Sequence, residues 1–137
     1  MLVISGIHSK AKKNGHIFKS KNEETSLWFG NIDDMWKLGK PIGEGGPWKN
    51  TNVIANQPSD KYLMTGYDEK TLELVADEDV KITTEIDVDF YGWHDFKTFS
   101  LKAGEKVTYN FPEGFNADWI RFHADKDCKA TAWLIYK

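Results

Sequence analysis

From Val80 onward apolar and polar residues alternate at period two. Val80, Ile82, Ile86, Val88 and Phe90 stand against Lys81, Thr83, Glu85, Asp87 and Asp89. This gives an extended strand one dry and one wet face, and it does not fit the period of an amphipathic helix. The pattern runs on through Phe99 and Leu101, turns at Ala103-Gly104-Glu105, and resumes at Val107, Tyr109 and Phe111 before Pro112-Glu113-Gly114. In Asp118–Ala124, Ile120, Phe122 and Ala124 share one face; Trp119, Arg121 and His123 share the other. Ala130–Tyr136 is apolar on both faces, which suits a central strand, and the Asp125-Lys126-Asp127 turn before it predicts a hairpin. The expected core is Ile82, Ile86, Val88, Phe90, Val107, Tyr109, Phe111, Ile120, Phe122, Ala132 and Leu134, with Val80–Phe90 as the longest strand.

The first half is less regular. Leu2–Ile7, His16–Ser20, Ser26–Gly30, Tyr62–Gly66 and Leu72–Val75 are short strand candidates. Between Gly30 and Asp60 glycine and proline interrupt every pattern, and this stretch reads as a long Gly/Trp-rich loop. One helical turn is expected at Asp33–Lys37, with Asp33 as its cap. Trp36 and Trp48 are expected to fold back over an end of the core or against a neighbouring domain. About eight short strands separated by turn signals predict an all-β fold. The expectation is a two-layer antiparallel β-sandwich, jelly-roll or immunoglobulin-like, over residues 1–137 as a single domain.

A chain of 137 residues can bury a core without staples. Its aromatic content is 14%, including six tryptophans, an excess that asks for a role. The net charge of -3 lacks the basic face that a nucleic-acid partner needs. The run Lys10-Ala11-Lys12-Lys13, with Lys19 and Lys21 beyond it and Ser9, Asn14 and Gly15 around it, reads as a solvated loop. The single Cys128 has no intrachain partner and reads as structural, at a strand start. No run approaches eighteen apolar residues, so no membrane partner is expected. Met1–Gly6 lacks a basic leader. The chain opens directly on a strand, so it is expected to be a fragment of a larger protein, with Met1 as a cloning start.

Trp93, His94, Trp119, Arg121 and His123 are the candidate ligand-binding residues. An indole stacks on the C–H face of a pyranose while Arg and His bond its hydroxyls. The competing reading is a packed Trp with Arg lying across it as a cation–π pair. No catalytic residue, metal or cofactor is assigned. His94-Asp95 suggests acid–base work, but no nucleophile accompanies it. Glu85, Asp87 and Asp89 recur at about 7 Å along a strand, a wet face rather than a cation cage. Asp33-Asp34 suits a helix cap better than a glycosidase pair. GEGGPW is followed by no Lys-Ser/Thr, so it is no phosphate loop.

Four longer motifs carry a resemblance: LWFGNIDDMWKLGKP (Leu27–Pro41), GGPW (Gly45–Trp48), PSDKYLMTGYD (Pro58–Asp68) and FPEGFNADWIRFHADKDCKATA (Phe111–Ala132). Together they resemble the C-terminal β-sandwich region of large bacterial proteins whose preceding part is a predicted β-propeller. Such proteins often occur beside polysaccharide-degrading enzymes. The resemblance implies an accessory domain of a carbohydrate-related protein, with extracellular or periplasmic location, and assigns no site residue. The expected function is therefore a non-catalytic accessory module that binds glycan weakly. The partner is carbohydrate or a neighbouring domain of the same protein. The alternatives are a structural domain docking onto a propeller and, behind it, a small glycoside hydrolase or lyase.

Overall fold

The computed structural model describes residues 1–8 and 10–137; Ser9, part of the N-terminal basic segment, lies outside the described residues. The chain divides into two compact units, Met1–Gly39 and Lys40–Lys137.

The first unit is a small antiparallel sheet of β1 (Leu2–Ile4), β2 (Ile17–Lys19) and β3 (Ser26–Gly30), in the order β1-β3-β2. Trp28 on the central strand is buried and stacks on His16 at 5.3 Å. Its ring lies over Gly30, where an added Cβ would come within 2.3 Å of the indole. Lys10, Lys12 and Lys13 are exposed between β1 and β2. A 3-10 helix, Ile32–Leu38, closes the unit. Its N-cap is Asn31 rather than Asp33, and the Asp34 carboxylate accepts the Asn31 N–H at 2.9 Å. That backbone bond and the Lys37 ammonium hold the Asp34 carboxyl below its ordinary value. Trp36, expected to cover an end of the core or a neighbouring domain, does not cover the core: it is 85% exposed, and Ile32, Met35 and Leu38 are exposed with it.

The second unit packs two open four-stranded antiparallel sheets in a β-sandwich-like arrangement. One sheet has the order β4-β11-β6-β9, from β4 (Gly43–Val53), β11 (Cys128–Tyr136), β6 (Lys70–Ala76) and β9 (Val107–Asn110). The other is β5-β10-β7-β8, from β5 (Tyr62–Leu63), β10 (Trp119–Ala124), β7 (Val80–Asp87) and β8 (His94–Leu101). Within this unit only β7 and β8 form a hairpin between consecutive strands; each of its other connections crosses from sheet to sheet. The hairpin expected between β10 and β11 is therefore an inter-sheet arch. A short turn is compatible with both, and the two strands point their apolar faces at each other across the core instead of pairing.

The alternation reads out as expected over most of its length. Ile82, Phe99, Leu101, Phe111, Ile120, Phe122, Ala132 and Leu134 are buried, joined by Met64, Leu72 and Leu74. Ile86, Val107 and Tyr109 pack against this core half-buried. Val88 and Phe90, expected inside, are exposed. The reason is local: the Asp87 carboxylate accepts the Phe90 N–H at 2.7 Å and the Asp89 N–H at 3.2 Å. This turn ends β7 at Asp87 and leaves Phe90 at φ 64.

The largest correction concerns the Gly/Trp-rich segment. Gly43–Val53 is not loop but an 11-residue strand, the longest in the chain. Its glycines are required by close approach. A Cβ on Gly45 would lie 1.9 Å from the Tyr62 hydroxyl, and one on Gly46 would lie 1.9 Å from the Ala132 carbonyl oxygen. With the backbone that close, Trp48 turns inward, buried, with its ring 5.8 Å from Phe122.

Candidate functional site

The outer face of the β5-β10-β7-β8 sheet carries most of the candidate residues. On β10, burial alternates so that Ile120, Phe122 and Ala124 are buried and Trp119, Arg121 and His123 stand half-buried on the outer side. Register sets their neighbours: Trp119 lies opposite Asp87 and Leu63, Arg121 opposite Glu85, and His123 opposite Thr83. Directly opposed residues share a face, so these side chains form one surface.

Arg121 is its centre. Its Nε and Nη2 donate to the two carboxylate oxygens of Glu85 at 2.7 and 2.9 Å. The guanidinium carbon also lies 4.3 Å from the centroid of the Trp93 ring. Trp93 precedes β8 in the loop that follows the Asp87 turn. The chain reversal therefore brings this indole back over the strand face it has just left. Just before the neighbouring strand β5, Lys61 places its ammonium 4.4 Å above the Trp119 ring. The cation–π pair anticipated between Arg121 and Trp119 is therefore exchanged: Arg121 lies on Trp93, and Lys61 takes its place on Trp119.

The Arg121 hydrogen bonds hold the Glu85 carboxyl below its ordinary value; burial opposes them, and His123 adds a smaller attraction. Glu85 is therefore an ionised orienter of Arg121 with both oxygens engaged, a poor proton donor and a poor nucleophile. Asp87 and Asp89 spend their carboxylates on turn N–H groups, Asp89 accepting from Tyr91 at 3.0 Å. Among the described residues no group of three or more His, Cys, Asp or Glu side chains is gathered to hold a metal ion.

Trp93, Trp119, Arg121 and His123 are thus placed on one side of the sheet. His94 is not with them: at the start of β8 it lies opposite Ile86, whereas Asp95 lies opposite Glu85. His94 is exposed and faces away from the Arg121 cluster. Cys128 opens β11 half-buried; burial, with Asp77, Asp125 and Asp127 nearby, raises its thiol pKa and makes it a weak nucleophile.

Sequence reasoning missed Lys61 at this site and Trp133 on the other sheet. Lys61 could not be assigned to Trp119 without the β5–β10 register. The sixth indole, Trp133, lies half-buried on the outer side of the other sheet beneath the Lys49 ammonium at 4.4 Å. Its signal was in the sequence, since Ala132 and Leu134 alternate with it.

No family model, no curated protein and no solved structure matches this chain.

Proposed function

We propose that the chain is a non-catalytic accessory module that binds glycan weakly through the Trp93–Trp119 face. The observation that carries this reading is the pair of half-buried indoles on one sheet face, held at fixed positions by Arg121, Glu85 and Lys61. Rigid aromatic groups lose little entropy on binding, and the neighbouring cations and His123 supply donors for hydroxyls. The strand orders β4-β11-β6-β9 and β5-β10-β7-β8, with the chain passing between sheets at nearly every turn, support a jelly-roll arrangement over an immunoglobulin-like one. Membership of a bacterial carbohydrate-processing protein, with extracellular or periplasmic location, rests on the resemblance of the four motifs.

Affinity electrophoresis and a glycan array with the whole chain test the reading. The expected dissociation constant is about 10⁻⁴ to 10⁻³ M, or roughly 4–5.5 kcal/mol. Trp93→Ala or Trp119→Ala should abolish retardation while leaving the unfolding transition in place. Absence of retardation by any neutral or acidic polysaccharide sinks the reading.

A second reading, docking onto a neighbouring propeller domain without a ligand, is favoured by a different observation. Ile32, Met35, Trp36 and Leu38 expose a run of apolar side chains on one short helix of the first unit.

A further inference from the structure

The end of the sandwich near the β9–β10 loop holds a cleft of about 730 Å³ that shares no residue with the Trp93–Trp119 face. Lys70, Tyr67 and Phe115 line it, with Asn110, Glu69 and Glu113 around them. Lys70 is the unusual member. It is the first residue of β6 and occupies an inward position in line with Leu72 and Leu74, so the residue is only 6% exposed. A lysine this buried ordinarily faces a carboxylate. Here none lies within ion-pair distance among the described residues. The ammonium instead donates to the Tyr67 carbonyl at 2.7 Å and the Phe115 carbonyl at 3.0 Å. An ammonium has three protons, and the third has no protein acceptor. Burial accordingly pushes the Lys70 pKa down, with Asp68 opposing weakly.

The other charges do not supply the missing partner. Asp68 is bonded to Lys40 and so is neutralised locally. Glu69 and Glu113 are exposed. The aromatic walls are already set: Tyr67 stacks on Tyr136 at 4.3 Å, and Phe115 packs on Phe111 at 4.9 Å. The Asn110 side-chain oxygen accepts from Thr71 at 2.9 Å, which leaves its amide N–H groups to face outward.

The geometry points to a binding site for a single carboxylate carried on a sugar-sized ring, with the carboxylate on the third proton of Lys70 and the ring between Tyr67 and Phe115. The carboxylate supplies the counter-charge that the fold withholds from Lys70. Glu69 and Glu113 then select against polyanions and accept hydrogen bonds from ring hydroxyls, so an acidic monosaccharide unit fits better than a sulfated or phosphorylated chain. The site is independent of the Trp93–Trp119 face, and each can fail without the other.

The test is amide and side-chain NMR of the whole chain titrated with glucuronate, methyl glucoside and sulfate. Glucuronate should shift the Gly114, Phe115 and Asn116 amides saturably, leaving the Trp93 and Trp119 indole signals in place. Methyl glucoside should not shift those amides at the same concentration. Lys70→Met should weaken the response at least tenfold. Should that variant not fold, the Lys70 ammonium of the unaltered protein serves instead, because its titration must move upward when glucuronate is bound. Equal shifts from methyl glucoside remove the carboxylate from the argument, and equal shifts from sulfate reduce the site to an adventitious ion only. Either result, or a Lys70 titration unmoved by glucuronate, overturns the proposal.

Discussion

Glu85→Gln removes one charge from the centre of the outer sheet face while keeping the side-chain shape. Glu85 now bonds both nitrogens of a fork whose plane lies against Trp93. The side chains of Arg121 and Glu85 are 25% and 12% exposed. Fully exposed ion pairs contribute about 0–1 kcal/mol, whereas unpairing a buried one costs about 3–5 kcal/mol. A half-buried bidentate pair lies between, so the expected loss is about 1.5–3 kcal/mol at pH 7. The pH dependence has a definite sign. The folded-state carboxyl lies below its ordinary 4.5, because Arg121 favours the ionised form. The unfolded chain therefore takes up this proton first as the solution is acidified. Its stabilisation is complete above the unfolded value and is lost as pH falls through the folded one. Urea unfolding followed by tryptophan fluorescence, from pH 7 down to pH 3, measures both effects. The native and variant proteins should differ most at pH 7 and converge in acid. A difference under about 0.5 kcal/mol at pH 7, or one unchanged across the acid limb, would refute the role given to this pair.

Three further outcomes follow from the packing. Phe122→Ala empties a fully buried site beside Trp48 and should cost about 3–5 kcal/mol in urea unfolding. Gly46→Ala drives a methyl group to 1.9 Å from a backbone oxygen that β11 cannot withdraw without breaking its ladder. A loss of about 3 kcal/mol or more is expected, read as a lower thermal midpoint. Trp36→Ser, at an 85% exposed position, should leave the unfolding free energy within about 0.5 kcal/mol and lower retention on a hydrophobic column.

The strands of the second half were legible because period-two alternation leaves only one face to bury, and Ile82, Ile120 and Phe122 went where that rule sends them. The rule fails where a polar side chain captures the backbone: Asp87 ends its strand by turning to its own chain, so Val88 and Phe90 continue the pattern in letters but not in space. Gly45 and Gly46 were misread for the opposite reason. Glycine signals a turn when the backbone conformation needs it, but here it signals closeness to Tyr62 and β11, which no local pattern records. The Trp119, Arg121 and His123 face was readable from spacing within one strand. The partner of each cation was not, since Lys61–Trp119 and Arg121–Trp93 depend on strand order and on a loop doubling back. Lys70 was opaque as well, because a lysine at a strand end gives no sign of pointing inward.

The long β4 strand lies at the margin of its sheet, where unpaired amide and carbonyl groups invite a foreign strand. Eleven residues of uninterrupted edge would be an adhesive surface in a crowded solution. This one is interrupted. Its pairing to β11 shifts register twice, between Ala130 and Ala132 and again between Ala132 and Leu134. Pro47 has no amide hydrogen to offer, and Asn50 adopts a positive φ of 55 with its N–H given to the Thr131 hydroxyl. An incoming strand therefore meets short, misaligned runs of donors and acceptors that cannot be matched in one register. The irregularities that made this segment look like loop keep the sheet from growing by self-templated addition.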